Sequence, residues 1–137
     1  MSYNRLTIYT DGGARGNPGP AGIGVVIYDQ NDKLISQHSK FIGKTTNNQA
    51  EYQALIFGLK KAKELEAKEI KCLLDSELVV RQLAGRYKVK NKDLKPLFAE
   101  ILKLTNEFKA VIFKHIPRRK NKLADKLVNL AINKGKG

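Results

Sequence analysis

YTDGGARGNPGPAGIGVVIY, residues 9–28, places a carboxylate and a glycine- and proline-rich loop between two runs typical of β-strands. Asp11 follows the run LTIYT (Leu6 to Thr10), and the loop leads into IGVVIY (Ile23 to Tyr28). Nucleotide-binding folds of Rossmann type differ, because their glycine loop joins a strand to a helix. The sequence also contains no GxxxxGK segment, which excludes a P-loop. The stretch therefore predicts two neighbouring antiparallel strands with a stiff loop after an acid.

The periodicity of the remaining chain predicts a mixed α/β sheet with helices on both faces. Three strands close in sequence favour an antiparallel meander, and strands linked by helices favour parallel pairs. We expect one domain over residues 1–137, with a frayed tail at about 134–137. The further predicted elements are a strand at Leu34–Ile42, a helix at Thr46–Glu66, a strand at Glu69–Asp75, helices at Ser76–Ala84 and Asp93–Phe108, a strand at Ala110–Ile116 and a helix at Leu123–Asn133.

The composition indicates a strongly basic protein. The 26 Lys and Arg residues exceed the 13 Asp and Glu residues, which gives a net charge of +13. Such an excess favours a polyanionic partner, with nucleic acid first; the alternative is a solvated lysine-rich surface, as in some heat-stable proteins. The lone Cys72 excludes an intramolecular disulfide and a cysteine zinc site. Without a signal-peptide pattern or a membrane-spanning stretch, we expect a cytoplasmic monomer with no membrane partner.

Four acids are predicted to meet at one edge of this sheet. Asp11 and Asp75 end two strands that a helical crossover would make parallel neighbours, and Glu51 lies in the first turn of the intervening helix. Asp125 lies in the first turn of the last helix, just beyond the fifth strand. Carboxylates so close repel each other unless cations are present. The pattern therefore predicts a Mg²⁺ site beside a phosphate in an otherwise basic protein.

Each acid alone also has a structural interpretation. Asp11 before two glycines is typical of a turn, and Asn48-x-x-Glu51 resembles a capping box. Asp75, at a strand-to-helix junction, could cap a helix, and Asp125 could oppose a helix dipole. Four local explanations that fall at one sheet edge are less economical than one shared site.

The motifs that carry these acids resemble ribonuclease H of type 1 and the related reverse-transcriptase-type domains. They occur in the family's order and span nearly the whole chain. The resemblance implies a ribonuclease H-like fold with a five-stranded mixed sheet, three strands antiparallel and then two parallel. It also implies an endonuclease that hydrolyses the RNA strand of RNA–DNA hybrids. The matching stretches are YTDGGARGNPGPAG (Tyr9 to Gly22), TTNNQAEYQAL (Thr45 to Leu55), LLDSELVV (Leu73 to Val80) and NKLAD (Asn121 to Asp125).

The resemblance also implies the metal chemistry of the site. Asp11, Glu51, Asp75 and Asp125 would be the catalytic, metal-binding carboxylates for two Mg²⁺ ions, with Mn²⁺ able to substitute. One ion would activate the attacking water and the other would stabilise the leaving 3′ oxygen, giving 5′-phosphate and 3′-hydroxyl products. His115 matches a mobile-loop histidine that assists proton transfer or product release in many members; the alternative is an ordinary histidine at a strand end.

The resemblance also implies substrate-binding residues in the glycine-rich loop, at the start of the helix at Thr46 and in the basic loop that contains Arg118. Gly12 and Gly13 would let the backbone approach nucleic acid, while Pro18 and Pro20 stiffen the loop. A helix start at Thr46 would bind a DNA phosphate. The positions expected to meet the minor groove and its 2′-hydroxyls are Asn17, Asn47, Asn48 and Gln49, with helix capping as the alternative for Asn47 and Asn48. Arg118 and Arg119 would contact phosphate or simply be solvated charge.

This chain departs from well-known members in the region of the basic protrusion, an extra helix that grips substrate. Only AGRYKVKNKDL, residues 84–94, occupies that region, so the helix is expected to be missing. Two other functions remain open. One is a nuclease of this fold that acts on double-stranded RNA, and the other is a catalytically silent module that only binds hybrids.

Overall fold

The computed structural model describes residues 3–85 and 88–136, and within these ranges the elements follow the predicted order. Three strands come first, and helix-linked strands follow. The strands are β1 (Tyr3–Ala14), β2 (Gly19–Tyr28), β3 (Leu34–Thr45), β4 (Ala67–Leu74) and β5 (Ala110–His115). The α-helices are α1 (Asn47–Glu64), α2 (Glu77–Leu83), α3 (Lys95–Thr105) and α4 (Lys122–Lys136), with a 3₁₀ turn at Arg118–Lys120.

The five strands form one mixed sheet in the order β3-β2-β1-β4-β5. β1 pairs antiparallel with β2, and β2 pairs antiparallel with β3. β4 pairs parallel with β1 on one side and with β5 on the other. The predicted fold class, three antiparallel strands followed by two parallel ones, is therefore confirmed.

Asp11 does not end its strand, as the sequence predicted, but lies within β1. The strand continues to Ala14 because β2 pairs with it that far, from Asp11 opposite Gly24 to Ala14 opposite Ala21. Pairing between β1 and β4 stops earlier, at Tyr9 opposite Leu73. The acid therefore stands just beyond the point where two parallel strands separate, which is where ligands bind in open α/β sheets.

All helix boundaries lie within three residues of the predicted ones, and α4 extends into the predicted frayed tail. The predicted frayed tail is helical up to Lys136. Gly135 lets the end of α4 pack closely on β3, because a Cβ at that position would overlap the ring of Phe41. The described part of residues 84–94 contains turns and no helix, as expected, and Arg86 and Tyr87 lie outside the described residues.

Helices cover both faces of the sheet. On one face, α1 packs on β1 and β2 and also contacts α3. On the other face, α4 crosses β2 and β3 so closely that a Cβ on Gly24 would overlap the carbonyl oxygen of Ala124. The larger apolar cluster lies under α1 and includes Leu6, Ile8, Val25, Ile27, Leu55, Leu59, Ile70 and Ile101. Among the described residues no helix is both long and apolar enough to cross a membrane.

Gly12 sets how closely α1 approaches β1. A Cβ there would overlap the backbone carbonyl of Ala50, whereas a Cβ on the adjacent Gly13 would meet only side-chain atoms, 3.5 and 3.6 Å away. We expect Gly12→Ala to lower the free energy of unfolding by at least about 2 kcal/mol, because backbone atoms must move to relieve the overlap.

Gly13→Ala is the matched control and should cost less than about 1 kcal/mol, since its Cβ makes ordinary van der Waals contacts. Urea denaturation followed by circular dichroism measures both values. Equal losses in the two variants would contradict this account of the α1–β1 contact.

Candidate active site

A cavity of about 270 Å³ opens where β1 and β4 separate, and all four predicted acids line it. Asp11 comes from β1, Glu51 from α1, Asp75 from the residue after β4, and Asp125 from the first turn of α4. Four segments that are distant in sequence therefore bring carboxylates to one place.

Three of the acids form a tight group and the fourth lies at its rim. Asp11, Glu51 and Asp75 each offer a carboxylate oxygen, and these oxygens lie within 4.8 Å of one another. Asp125 is exposed, yet its charge contributes to raising the pKa of Asp11. Carboxylate oxygens at this spacing are the donor set that Mg²⁺ prefers, so the residues present fit the expected metal.

Glu51 is only 5% exposed and is held by the backbone of β1. The Gly12 N–H donates to Glu51 Oε1 at 2.6 Å, and it also lies 3.0 Å from Asp11 Oδ1. One backbone donor therefore ties together the carboxylates of a strand and a helix. The absence of a side chain at Gly12 is required by the helix backbone packed against it, while the approach of nucleic acid to Gly12 stays a prediction.

The local explanations for two of the acids are wrong. The N-cap of α1 is Thr46, in a capping box with Gln49, so Glu51 does not cap the helix. The N-cap of α2 is Ser76, whose side chain accepts from the N–H of Val79, so Asp75 does not cap that helix. Asp125 does lie in the first turn of α4, where it also opposes the helix dipole.

Burial and mutual repulsion shift the titration of the tight group. Burial raises the pKa of Asp11, and the charges of Glu51, Asp75 and Asp125 raise it further. Burial also raises the pKa of Glu51, although the hydrogen bonds from Asp11 and Gly12 and the charge of Arg118 oppose this rise. The folded site therefore favours protonation of Asp11 and Glu51, and a divalent cation would relieve the same repulsion.

Asn121 links Asp75 to β1 and was not singled out as a site residue from the sequence. It is 1% exposed, and its Nδ2 donates to the carbonyl oxygen of Thr10 at 2.9 Å and to Asp75 Oδ2 at 3.0 Å. The available signals were its place in the matching stretch NKLAD, four residues before Asp125, and its position at the start of a helix.

The predicted substrate-binding residues on the glycine side lie around the start of α1. Asn17 Oδ1 accepts from the N–H of Asn47 at 2.9 Å, and Asn47 Oδ1 accepts from the N–H of Ala14 at 3.2 Å. These bonds fix the β1–β2 turn against the helix. Since Thr46 is the N-cap, the capping alternative for Asn47 and Asn48 is wrong, and Gln49 completes the capping box instead.

The remaining predicted residues divide into those at the cavity and those away from it. Gly13 and Arg118 line the cavity with the acids. His115 does not: it is the exposed last residue of β5, paired with Leu74, on a strand rather than on a loop. The structure therefore does not bring the predicted catalytic histidine into the cavity.

Arg15 lines the cavity and was also missed by the sequence analysis. Its guanidinium donates to Asn133 Oδ1 at 2.6 Å and lies 3.3 Å from Asn129 Oδ1. These bonds connect the β1–β2 turn to α4, and the acceptors are uncharged amides. The positive charge therefore remains available beside the acids.

Comparison with known proteins gives the chain's relatives. The profile of the reverse transcriptase-like family matches residues 9–131. Ribonuclease HI of Haemophilus ducreyi is 34% identical over 143 residues, covering 93% of this chain and 90% of that protein. A bifunctional protein of Mycobacterium tuberculosis is 44% identical over 130 residues, covering 94% of this chain. The chain spans only 36% of that mycobacterial protein.

A solved structure agrees with these sequence matches. LC11 ribonuclease H1, isolated from compost by a metagenomic approach, was solved in complex with an RNA/DNA hybrid. It superposes with a TM-score of 0.91 at 50% identity, covering 96% of this chain and 99% of that chain.

The raised pKa of Asp11 predicts that its charge destabilises the metal-free protein. The folded protein keeps a proton that the unfolded chain releases above the ordinary value of 3.8, so stability falls as pH rises from there. Asp11→Asn removes the titrating carboxyl group but keeps a donor for Glu51. We expect its Tm in chelator at pH 8 to exceed that of the wild type by about 4 °C, or about 1 kcal/mol, and the gain to vanish near pH 4.

Asp32→Asn is the matched control, because Asp32 is exposed in the β2–β3 turn at a positive φ that Asn tolerates. Its Tm should stay within about 1 °C of the wild type at both pH values. Scanning calorimetry checks this, and a lower Tm for Asp11→Asn at pH 8 would contradict the electrostatic account.

Proposed function

Because the chain belongs to the ribonuclease H type 1 family, we propose that it is a Mg²⁺-dependent endoribonuclease that hydrolyses the RNA strand of RNA–DNA hybrids. The observation that carries this proposal is the group of Asp11, Glu51 and Asp75, whose carboxylate oxygens lie within 4.8 Å of one another. The solved complex of LC11 ribonuclease H1 with an RNA/DNA hybrid supports the choice of substrate.

The four acids would hold two Mg²⁺ ions, with Mn²⁺ able to substitute. When bound, the ions supply an activated water and stabilisation of the leaving 3′ oxygen, which gives 5′-phosphate and 3′-hydroxyl products. The chain's own part is to hold the carboxylates of Asp11, Glu51 and Asp75 close together and oriented. The Gly12 N–H contributes by donating to Glu51, and Arg118 contributes a positive charge at the cavity.

Substrate recognition is assigned to the turn and helix start beside the acids. Asn17 and Asn47 use their Oδ1 atoms to fix this surface, so we assign contact with the RNA minor groove to their Nδ2 donors. Asn48 and Gln49 follow on the same helix turn, and a 2′-hydroxyl is the group that distinguishes RNA from DNA there. Thr46, at the helix N-terminus, is assigned a DNA phosphate.

The two alternative functions differ from this proposal in measurable ways. A silent hybrid-binding module does not need several carboxylates that repel each other. The presence of this group of acids therefore favours catalysis. A nuclease for double-stranded RNA would use the same acids, so only substrate choice separates it. The basic character of the chain, +13 overall, suits all three.

Cleavage assays on labelled duplexes test the proposal. We expect Mg²⁺-dependent cutting of the RNA strand in RNA–DNA, at least about 100-fold faster than cutting of RNA–RNA or DNA–DNA, with no cutting in chelator. Asp11→Asn should reduce kcat at least about 1,000-fold while hybrid binding stays within about threefold, because only the metal site changes. Equal cutting of DNA–DNA would falsify the hybrid assignment, and cutting in chelator would remove the metal mechanism.

Arg118 and Arg119 offer a matched test of phosphate contact. Both are exposed, but only Arg118 lines the cavity. For hybrid binding measured in chelator, the plot of log affinity against log salt should be steeply negative, because phosphate contacts release counterions. Arg118→Ala should reduce the magnitude of that slope by about one, and Arg119→Ala should leave it nearly unchanged. Identical slopes for the two variants would place Arg118 outside the substrate interface.

A further inference from the structure

Asn121 is a buried amide that contacts three acid-bearing segments at once. Its Nδ2 donates to the carbonyl oxygen of Thr10, the residue before Asp11 on β1. The same nitrogen donates to Asp75 Oδ2, just after β4. Its backbone carbonyl accepts from the N–H of Asp125 at 3.1 Å, in the first turn of α4. The residue therefore lies at the junction of β1, β4 and α4.

Only the nitrogen of the Asn121 side-chain amide takes part in hydrogen bonds within the described part of the chain. An amide has two N–H donors, and both are accounted for by Thr10 and Asp75. Its Oδ1 is buried and has no hydrogen-bond partner among the residues that the structure describes. An unsatisfied buried polar atom costs about 1–3 kcal/mol, so an amide is a poor choice for packing alone. The two donors are the reason that this position suits Asn.

The two N–H donors of Asn121 fix the positions of carboxylates that a metal site needs in place. Asp75 is only half-buried, and it does not cap α2, so the bond from Asn121 is what fixes its Oδ2. Asp125 is exposed on α4, and its distance from Asp11 depends on how the start of that helix is held against β1. The bond to Thr10 holds the two segments together.

We propose that Asn121 is a positioning residue for the metal-binding carboxylates: it orients Asp75 and holds Asp125 against β1. This inference rests on the proposed function, because it assigns a role toward the same Mg²⁺ site. Outer contacts of this kind change metal affinity or activity by about 10- to 100-fold when they are lost.

Asn121→Leu tests the donors while keeping the number and branching of the side-chain heavy atoms. It removes both hydrogen bonds and also the unpartnered Oδ1, so the Tm in chelator should stay within about 4 °C of the wild type. Calorimetric titration with Mg²⁺ alone should show at least about 10-fold weaker binding. The kcat on hybrid should fall at least about 10-fold, with KM within about threefold, because substrate contacts are unchanged.

Asn121→Asp separates positioning from helix capping. Asp starts a helix as well as Asn does, so a capping role predicts retained activity. A carboxylate cannot donate to Asp75 or to Thr10, so positioning predicts a kcat at least about 10-fold lower. Asn31→Asp, the same atom exchange in the exposed β2–β3 turn, should leave kcat, KM and Mg²⁺ affinity unchanged.

The outcomes distinguish this inference from the proposed function. A wild-type protein that neither binds Mg²⁺ nor cuts hybrid overturns the proposed function and this inference with it. An active wild type together with unchanged Mg²⁺ affinity in Asn121→Leu, or retained kcat in Asn121→Asp, overturns the inference alone. Failure of both variants to fold, judged by circular dichroism, would make Asn121 a folding residue and also overturn it.

Discussion

Repulsion among Asp11, Glu51 and Asp75 is the constraint around which the rest of this protein is arranged. Their carboxylate oxygens lie within 4.8 Å of one another, and burial strengthens the repulsion by removing water. The fold holds them there because each acid belongs to a different segment of the chain. The N–H of Gly12 lies between the carboxylates of Asp11 and Glu51. The site is thus built at the expense of stability, as expected where binding of a cation restores the balance.

The sheet topology explains why this position was available. β1 pairs with β2 as far as Ala14, but it leaves β4 after Tyr9, so the sheet opens beside Asp11 without losing support on its other edge. The helices then approach on both faces because glycines remove the side chains in their path. Gly12 allows close packing of α1, which carries Glu51, and Gly24 allows close packing of α4, which carries Asp125. Gly12 and Gly24 therefore serve helix packing, a role that the sequence alone did not show.

Much of the fold was predictable, because periodicity and the order of strands and helices are local properties of the chain. The limits of β1 were not, since they depend on how far β2 pairs with it. The helix cap was misassigned because Thr46, Asn47 and Asn48 are adjacent and all favour that position; only the side-chain geometry selects Thr46. The acids carried a recognisable pattern. Asn121 lay in the matching stretch NKLAD, but its role was not predictable, because its partners Thr10 and Asp75 are remote in sequence and meet it only in the folded protein.

An acidic cavity in a chain of net charge +13 presents an electrostatic problem of its own. The basic surface attracts a polyanion over distances of about 8–10 Å at physiological salt, but four carboxylates would repel a phosphate at contact. Two divalent cations would neutralise the four acids, and the positive charges of Arg15 and Arg118 at the cavity would then dominate. Metal binding and phosphate binding are therefore expected to reinforce each other. The basic surface would then attract nucleic acid, while contact with the phosphate beside the acids would depend on the ions.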